Sequence, residues 1–377
     1  MTVIFVPKEP AAGETRVSAV PETVKAMVKQ GFQVAVERGA GLQAGFSEAE
    51  YEAAGASLCG PEARGTADLV LGVNCPTVEQ ARAQKAGSLL VCSLLPGQNL
   101  AAVGALRDAR VTAMALEFMP RITRAQKMDI LSSQATCAGY QAVLMAAARL
   151  PKMFPLLMTA AGTITPARVL VLGAGVAGLQ AIATAKRLGA VVEANDIRPA
   201  CREQVESLGG KFVDTGAPPD AETSGGYAKE ASAEFLRKQR EILTQHMAQA
   251  DVVITTALVP GKRAPQLMTA DMVRAMKPGS VVVDMAVSQG GNVEGSVPGQ
   301  TVVVHGVSIL GETNLAAQVA ADASRMFARN IASFLPEFSK AGQVTVDLAN
   351  EILKAVVVTH GGEVVHQPTA AALAAKV

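Results

Sequence analysis

The chain has 377 residues, enough for two domains of ordinary size, and an apolar content of 49% can fill both cores. A net charge of +1, no basic run, three tyrosines and no tryptophan exclude a general attraction to nucleic acid and the stacking platforms of single-strand binders. Cys59, Cys75, Cys92, Cys137 and Cys201 are odd in number and lack a C-x-x-C pair, so they read as reduced core thiols of a cytosolic protein; the scattered His246, His305, His360 and His366 point to no metal site.

Met1–Pro7 runs straight into a strand-like stretch with no basic n-region, so no export signal is expected. Thr2–Val6 reads as a strand, Glu22–Gln30 as a helix and Gln33–Glu37 as a strand. Ser47 and Glu50 have the spacing of a capping box and open a short helix. Alternation continues through Asp68–Val73, Val78–Gln84, Ser88–Cys92, Leu100–Arg110 and Val111–Leu116, which argues a parallel sheet. This first region has no Gly-x-Gly-x-x-Gly, so it is expected to be Rossmann-like without its own nucleotide fingerprint. Gln134–Leu150 reads as a small-residue helix connecting two domains, and Lys152–Pro166 as a punctuated linker. The charge-free windows Met153–Ala167 and Val169–Ala185 are too short and too polar to span a membrane, so a soluble chain is expected.

At Val169–Leu172 an apolar run is followed by Gly173, Gly175 and Gly178 and then by a helical pattern to Leu188. In such a strand–turn–helix unit the first glycine allows the turn, the second lets backbone approach a pyrophosphate, and the third lets helix pack on strand. The amides at Val176 and Ala177 open the helix toward the anion. The next strand, Val191–Asn195, ends in Asp196 at the distance where an acidic residue accepts the ribose 2′-hydroxyl. A carboxylate there favours NAD over NADP; Arg198 is a nearby counter-charge, and an acidic cap for the helix from Pro199 is the alternative role of Asp196.

Cys201–Leu208 then reads as a helix and Lys211–Val213 as a strand. The polar stretch Asp214–Gly226, ending beside Tyr227, exceeds the usual loop length of about 4–6 residues and reads as a lid. A helix over Ala228–Ala250 and strands Asp251–Thr255 and Ser280–Asp284 follow; their carboxyl ends put Thr255–Ala257 and Asp284–Ala286 around one crevice. Gly290–Asn292 marks a turn, Thr301–Leu310 short strands, and Asn314–Leu335 a long helix that returns the tail from Val344 to the first domain. The expected architecture is α/β, two Rossmann-like domains with parallel sheets joined by long helices, the first discontinuous over residues 1–133 plus 330–377, the second over 134–329.

Arg121–Gln134 packs unusual polar density between an apolar strand and an apolar helix, and composition alone reads it as a solvated loop with Asp129 or Ser132 capping the helix. With Met119–Ser133, Gly139-Tyr140, the glycine fingerprint, Glu203–Gly210, Gly225–Lys229 and Thr255–Lys262, nearly the whole chain resembles the NAD(H)-binding soluble component of proton-translocating nicotinamide nucleotide transhydrogenase. The resemblance implies a homodimer with NAD(H) in a cleft between two domains. It implies that Arg121 and Ser132 fix the nicotinamide carboxamide and ribose, that Asp129 orients them, and that Gln126 reaches toward a second nucleotide, making Arg121, Gln126 and Asp129 the candidate catalytic set. Gly173, Gly175, Val176, Ala177, Gly178, Asp196, Ile197, Arg198, Thr256, Ala257 and Leu258 complete the implied nucleotide set, with Tyr227 on a closing loop. Hydride then passes between NADH and NADP⁺ held by a partner subunit, and a membrane subunit couples this to proton movement. Neither partner is encoded here, so the chain is expected to be inert alone and peripheral at the cytoplasmic face of the inner membrane.

Two other readings compete with this one. Alanine dehydrogenase shares the architecture and a Lys8-Glu9…Arg16-Val17-like motif, but the places of its substrate lysine and catalytic histidine hold Gly72 and Ser93, and Ser288 stands where an acidic residue precedes Gln-Gly-Gly. A non-catalytic NAD(H)-binding or sensing module would keep the fingerprint and the lid and need no second nucleotide; the polar density of Arg121–Ser132 weighs against it.

Overall fold

The computed structural model describes residues 1–216, 233–258 and 263–375. The chain divides into two compact units, Met1–Gln134 with Ala317–Val377, and Ala135–Ala316. The division falls at Ala317, ahead of the expected return at residue 330, which would cut one continuous helix, Ala320–Phe334.

In the first unit β1 (Val3–Val6), β2 (Gln33–Glu37), β3 (Ser57–Cys59), β4 (Leu69–Asn74), β5 (Leu89–Ser93) and β6 (Thr112–Ala115) alternate with helices α1 (Pro21–Lys29), α2 (Glu48–Ala53), α3 (Val78–Arg82) and α4 (Leu100–Asp108). The strands lie in the order 3-2-1-4-5-6, all parallel, so the direction of winding reverses between β1 and β4. That is the Rossmann order, and such sheets take ligands outside the strand carboxyl ends at the reversal. Ile4 and Val6 pack into one core and Phe5 into the other, as a strand covered on both faces requires. Ser47 and Glu50 form the expected capping box at α2.

The helix α5 (Ile130–Arg149) carries the chain from the first unit into the second. A hairpin of β7 (Leu157–Thr159) and β8 (Gly162–Ile164) lies where a linker was expected. The second sheet runs β11-β10-β9-β12-β13-β15-β14, with β9 (Arg168–Leu172), β10 (Val191–Asn195), β11 (Lys211–Phe212), β12 (Val252–Thr255), β13 (Val281–Asp284), β14 (Thr301–Val304) and β15 (Val307–Leu310). Its pairs are parallel apart from β14 against β15, and winding reverses between β9 and β12. Val169 and Val171 face one core, Leu170 and Leu172 the other, all at most 1% exposed. The second unit's helices are α6 (Val176–Arg187), α7 (Cys201–Ser207), α8 (Ala233–Gln249) and α9 (Ala270–Arg274).

The tail returns to the first unit through helices α10 (Ala320–Phe334), α11 (Glu351–Val356) and α12 (Gln367–Ala374), with a short hairpin of β16 (Ser339–Lys340) and β17 (Gln343–Val344) after α10. There β18 (Val357–His360) extends the sheet antiparallel to β6, with β19 (Glu363–Val364) beyond it. No helix among the described residues is long and apolar enough to cross a membrane. Among the same residues no cluster of His, Cys, Asp and Glu could hold a metal ion.

Candidate functional site

The fingerprint sits at the winding reversal of the second sheet. Gly173 has φ of 101°, in the left-handed region that a side chain opposes, and its amide donates to the Asn195 carbonyl. A Cβ on Gly178 would stand 1.9 Å from the Gly173 carbonyl oxygen, so the first turn of α6 lies directly on the loop. Gly175 is the residue before α6, extended, and the nearest side-chain atom its Cβ would meet is Arg198 Nη2 at 3.9 Å. Room at Gly175, with no backbone near it, and close packing at Gly173 and Gly178 match the division of labour of a pyrophosphate-binding turn. In the first turn of α6 the Val176 and Ala177 amides have no intrahelical acceptor, and the helix points them and its positive end toward that space.

Asp196, 9% exposed, ties this turn to the second strand. Its Oδ2 accepts from the Ala174 amide at 2.7 Å and Arg198 Nη2 at 2.8 Å; its Oδ1 accepts from the Arg198 amide and Nε, both at 2.9 Å. Burial pushes this carboxyl up, but the Arg198 donors and charge and the two amides outweigh it and hold it below the usual range. The alternative role, capping the helix from Pro199, is not the one seen. That helix begins at Cys201 after Ala200 and has no side-chain cap. Asn195 beside it donates to the Val213 carbonyl at 2.8 Å and accepts from Gln239 Nε2.

Across the reversal, Thr256 Oγ1 donates to the Gly173 carbonyl at 3.0 Å. The neighbouring Ala257 is held by a residue that reads in the sequence only as part of a turn. Asn292, fully buried, accepts from the Ala257 amide and donates to the Ala257 and Pro265 carbonyls. Its own amide, with those of Ala286 and Val293, donates to the buried Asp284 carboxylate, which also accepts from Thr255 Oγ1 at 3.3 Å. Thr255 and Asp284 are register partners, so the expected gathering of these two strand ends is observed. Leu258 follows, exposed, while Tyr227 lies outside the described residues.

The polar stretch belongs to the first unit. Thr123–Met128 forms a 3-10 turn on which Arg124, Gln126 and Lys127 are exposed and Ala125 and Met128 are buried; Arg121, just before it, is exposed too. Asp129 caps the following helix, its Oδ1 accepting from the Ser132 amide at 3.1 Å and its Oδ2 from Ser132 Oγ at 2.6 Å. The capping role read from composition is thus real for Asp129, and it fixes Ser132 as well. Arg124 pairs with Glu337 and Glu351 at 3.3 Å, which pins the outer side of the turn. The Gln126 side chain, exposed, makes no hydrogen bond among the described residues, while its carbonyl accepts from the Asp129 amide.

Arg16 is held by bonds within the chain. Its Nε and Nη2 are taken by the two oxygens of Glu14 at 2.8 and 2.6 Å, and its Nη1 by Gln134 Oε1 at 2.8 Å. Burial pushes Glu14 up; the Arg16 donors and charge, with Asn74, outweigh it and hold the carboxyl at about 2. The Nε–Nη2 edge of this guanidinium is thus taken by a carboxylate of the chain itself, and Gly72 and Ser93 supply no lysine or histidine.

Comparison with known proteins gives the family. Residues 5–138 match the family described as alanine dehydrogenase/PNT, N-terminal domain, and residues 142–367 match alanine dehydrogenase/PNT, C-terminal domain. The chain is 51% identical over 374 residues to an NAD(P) transhydrogenase alpha subunit of Rhodospirillum rubrum, covering 96% of this chain and 97% of that one. It superposes on the crystal structure of the transhydrogenase from Sinorhizobium meliloti with a TM-score of 0.86 and 44% identity, over 97% of this chain and 99% of that one. Alanine dehydrogenase of Bacillus subtilis is more distant, 31% identical over 78% of this chain and 72% of its own. The chain belongs to the alanine dehydrogenase/PNT family, and within it to the NAD(P) transhydrogenase alpha subunits.

Proposed function

We propose that this subunit binds NAD(H) and passes hydride between NADH and an NADP⁺ held by a partner subunit, with a membrane-spanning subunit coupling the transfer to proton translocation. The observation that carries the reading is the turn Gly173–Gly178, open at Gly175 and braced by Asp196, which has the form of a dinucleotide pyrophosphate site. Asp196 serves the adenosine ribose and disfavours a 2′-phosphate, so the nucleotide of this chain is NAD(H) and NADP(H) belongs to the partner. Val176, Ala177, Ile197, Arg198, Thr256, Ala257 and Leu258 line the nucleotide, and Tyr227 closes over it. Arg121 and Ser132 hold the nicotinamide carboxamide and ribose, Asp129 orients Ser132, and Gln126 reaches toward the second ring.

Bound nucleotide supplies the hydride itself. The chain's own work is to orient the nicotinamide and exclude water, since transfer between two nicotinamides needs neither a protein nucleophile nor a general base. The subunit acts as a homodimer, is inactive alone, and sits at the cytoplasmic face of the membrane through its partners. The test mixes this protein, an NADP(H)-binding component of the family, NADH and a thio-analogue of NADP⁺, and follows absorbance. Rapid reduction that vanishes when either protein is left out supports the reading; NADH binding with no transfer in any mixture leaves a nucleotide-binding module instead.

A further inference from the structure

The turn that presents Gln126 and Arg121 is held from behind by side chains that have no part in the roles proposed above. Asn330 of α10 donates from Nδ2 to the Lys127 carbonyl at 2.8 Å and accepts at Oδ1 from Ser133 Oγ at 2.6 Å. Gln134 Nε2 donates to Ser133 Oγ at 3.3 Å and to the Ala323 carbonyl at 3.1 Å, and Gln134 Oε1 accepts from Arg16 at 2.8 Å. Arg16 is bound edge-on by Glu14, Asn74 Nδ2 donates to Glu14 at 2.9 Å, and Asn74 also donates to Glu9. Glu9 ends the series at the winding reversal of the first sheet, where its Oε1 accepts from the Val73 amide at 2.6 Å. A carboxylate of the chain itself therefore occupies the place where such a sheet would take a ligand's anion.

These contacts form one unbroken polar series inside the first unit, and Glu14, Ser133 and Asn330 in it are 5–8% exposed. A buried ion pair such as Glu14–Arg16 gives little net stability over apolar packing of the same volume; what it supplies is fixed geometry. We infer that Asn330, Ser133, Gln134 and the Glu14–Arg16 pair are positioning residues for the Arg121–Ser132 segment, setting the placement of Gln126 and Ser132 for hydride transfer. The inference rests on the nicotinamide role proposed for that segment.

Ser133→Ala removes one oxygen from the middle of the series without stranding a charge, and Gln134→Met keeps the side-chain length while cutting all three of its links. In the complex reassembled with its partner subunits, each variant is expected to slow single-turnover hydride transfer about tenfold or more, because small misplacements of reacting groups are costly in rate. The dissociation constant for NADH stays within about twofold, since no ground-state contact with nucleotide is lost, and the melting temperature falls by no more than the few degrees that lost buried hydrogen bonds cost. Loss of NADH affinity in step with rate, or a lower melting temperature with normal transfer, overturns the inference. Gln126→Asn, measured alongside, separates it from the reading it rests on. Slow transfer in Gln126→Asn with normal transfer in the other two removes the positioning series alone; normal transfer in Gln126→Asn removes the role of the segment.

Discussion

Asp196 already accepts from four donors within the chain, so the ribose role proposed for it requires Arg198 to give way. Asp196→Asn removes the charge that repels a 2′-phosphate and releases the Arg198 guanidinium to bind one. Calorimetry is expected to show the preference for NADH over NADPH narrowing by about tenfold, the scale of one charge-assisted contact. Gln126→Asn, which shortens an outward-facing side chain, should leave NADH affinity intact and slow transfer. Glu14 predicts an acid dependence. Its carboxyl lies near 4.5 ordinarily and at about 2 in the folded chain, so its contribution is fully present above pH 4.5 and is lost as the pH falls toward 2. By linkage that contribution is roughly 3 kcal/mol. Acid denaturation of the double variant Glu14→Gln, Arg16→Met is expected to be flatter across that window than that of the unaltered protein. Residues with a spacing rule were legible in the sequence: the glycines, Asp196, and the cap at Asp129. Asn292, Asn330 and the link from Arg16 to Gln134 were not, because their partners lie 35, 203 and 118 positions away and no local pattern marks them.

Elements with a strong period or a two-sided core announce themselves, and β9, β10, β12 and β13 fall within a residue or so of the stretches read from their apolar runs. The hairpin of β7 and β8 reads as linker because strands of three residues, mostly exposed, have no period to detect. α9 has only five residues, and β18 is a strand because β6 offers it an edge, a fact of tertiary structure. Among the described glycines, Gly178 at the start of α6 has the least room for a side chain. Gly178→Ala would drive a Cβ to 1.9 Å from the Gly173 carbonyl, and Gly139→Ala in α5 would drive one to 2.1 Å from the Ala177 carbonyl. Backbone lies on both sides of these contacts and cannot swing away. Each substitution is expected to cost about 3 kcal/mol or more, read as an earlier melting transition of the second unit and a lost gain in melting temperature on adding NADH.

Over the whole molecule, two sheets of the same winding carry different equipment at their reversals. The second has an open glycine turn and a helix end; the first has the Glu9 carboxylate seated on backbone amides. Strand order explains why the sequence reads as a Rossmann-like first domain with no fingerprint, and the filled reversal gives a physical reason for that absence. The core explains why the chain divides at Ala317: α10 buries Phe327, Ile331 and Phe334 in the first unit, so the helix belongs there along its whole length. In the proposed reaction NADH on this subunit gives its hydride directly to NADP⁺ on a partner. The decisive measurement uses NADH carrying deuterium at the transferred position, in the complex reassembled with its partner subunits, and reads the label in the NADPH formed. Full retention of deuterium in NADPH, with none lost to water, is expected; NADPH formed without the label, or labelled NADH left unreacted beside a competent partner, would rule direct transfer out.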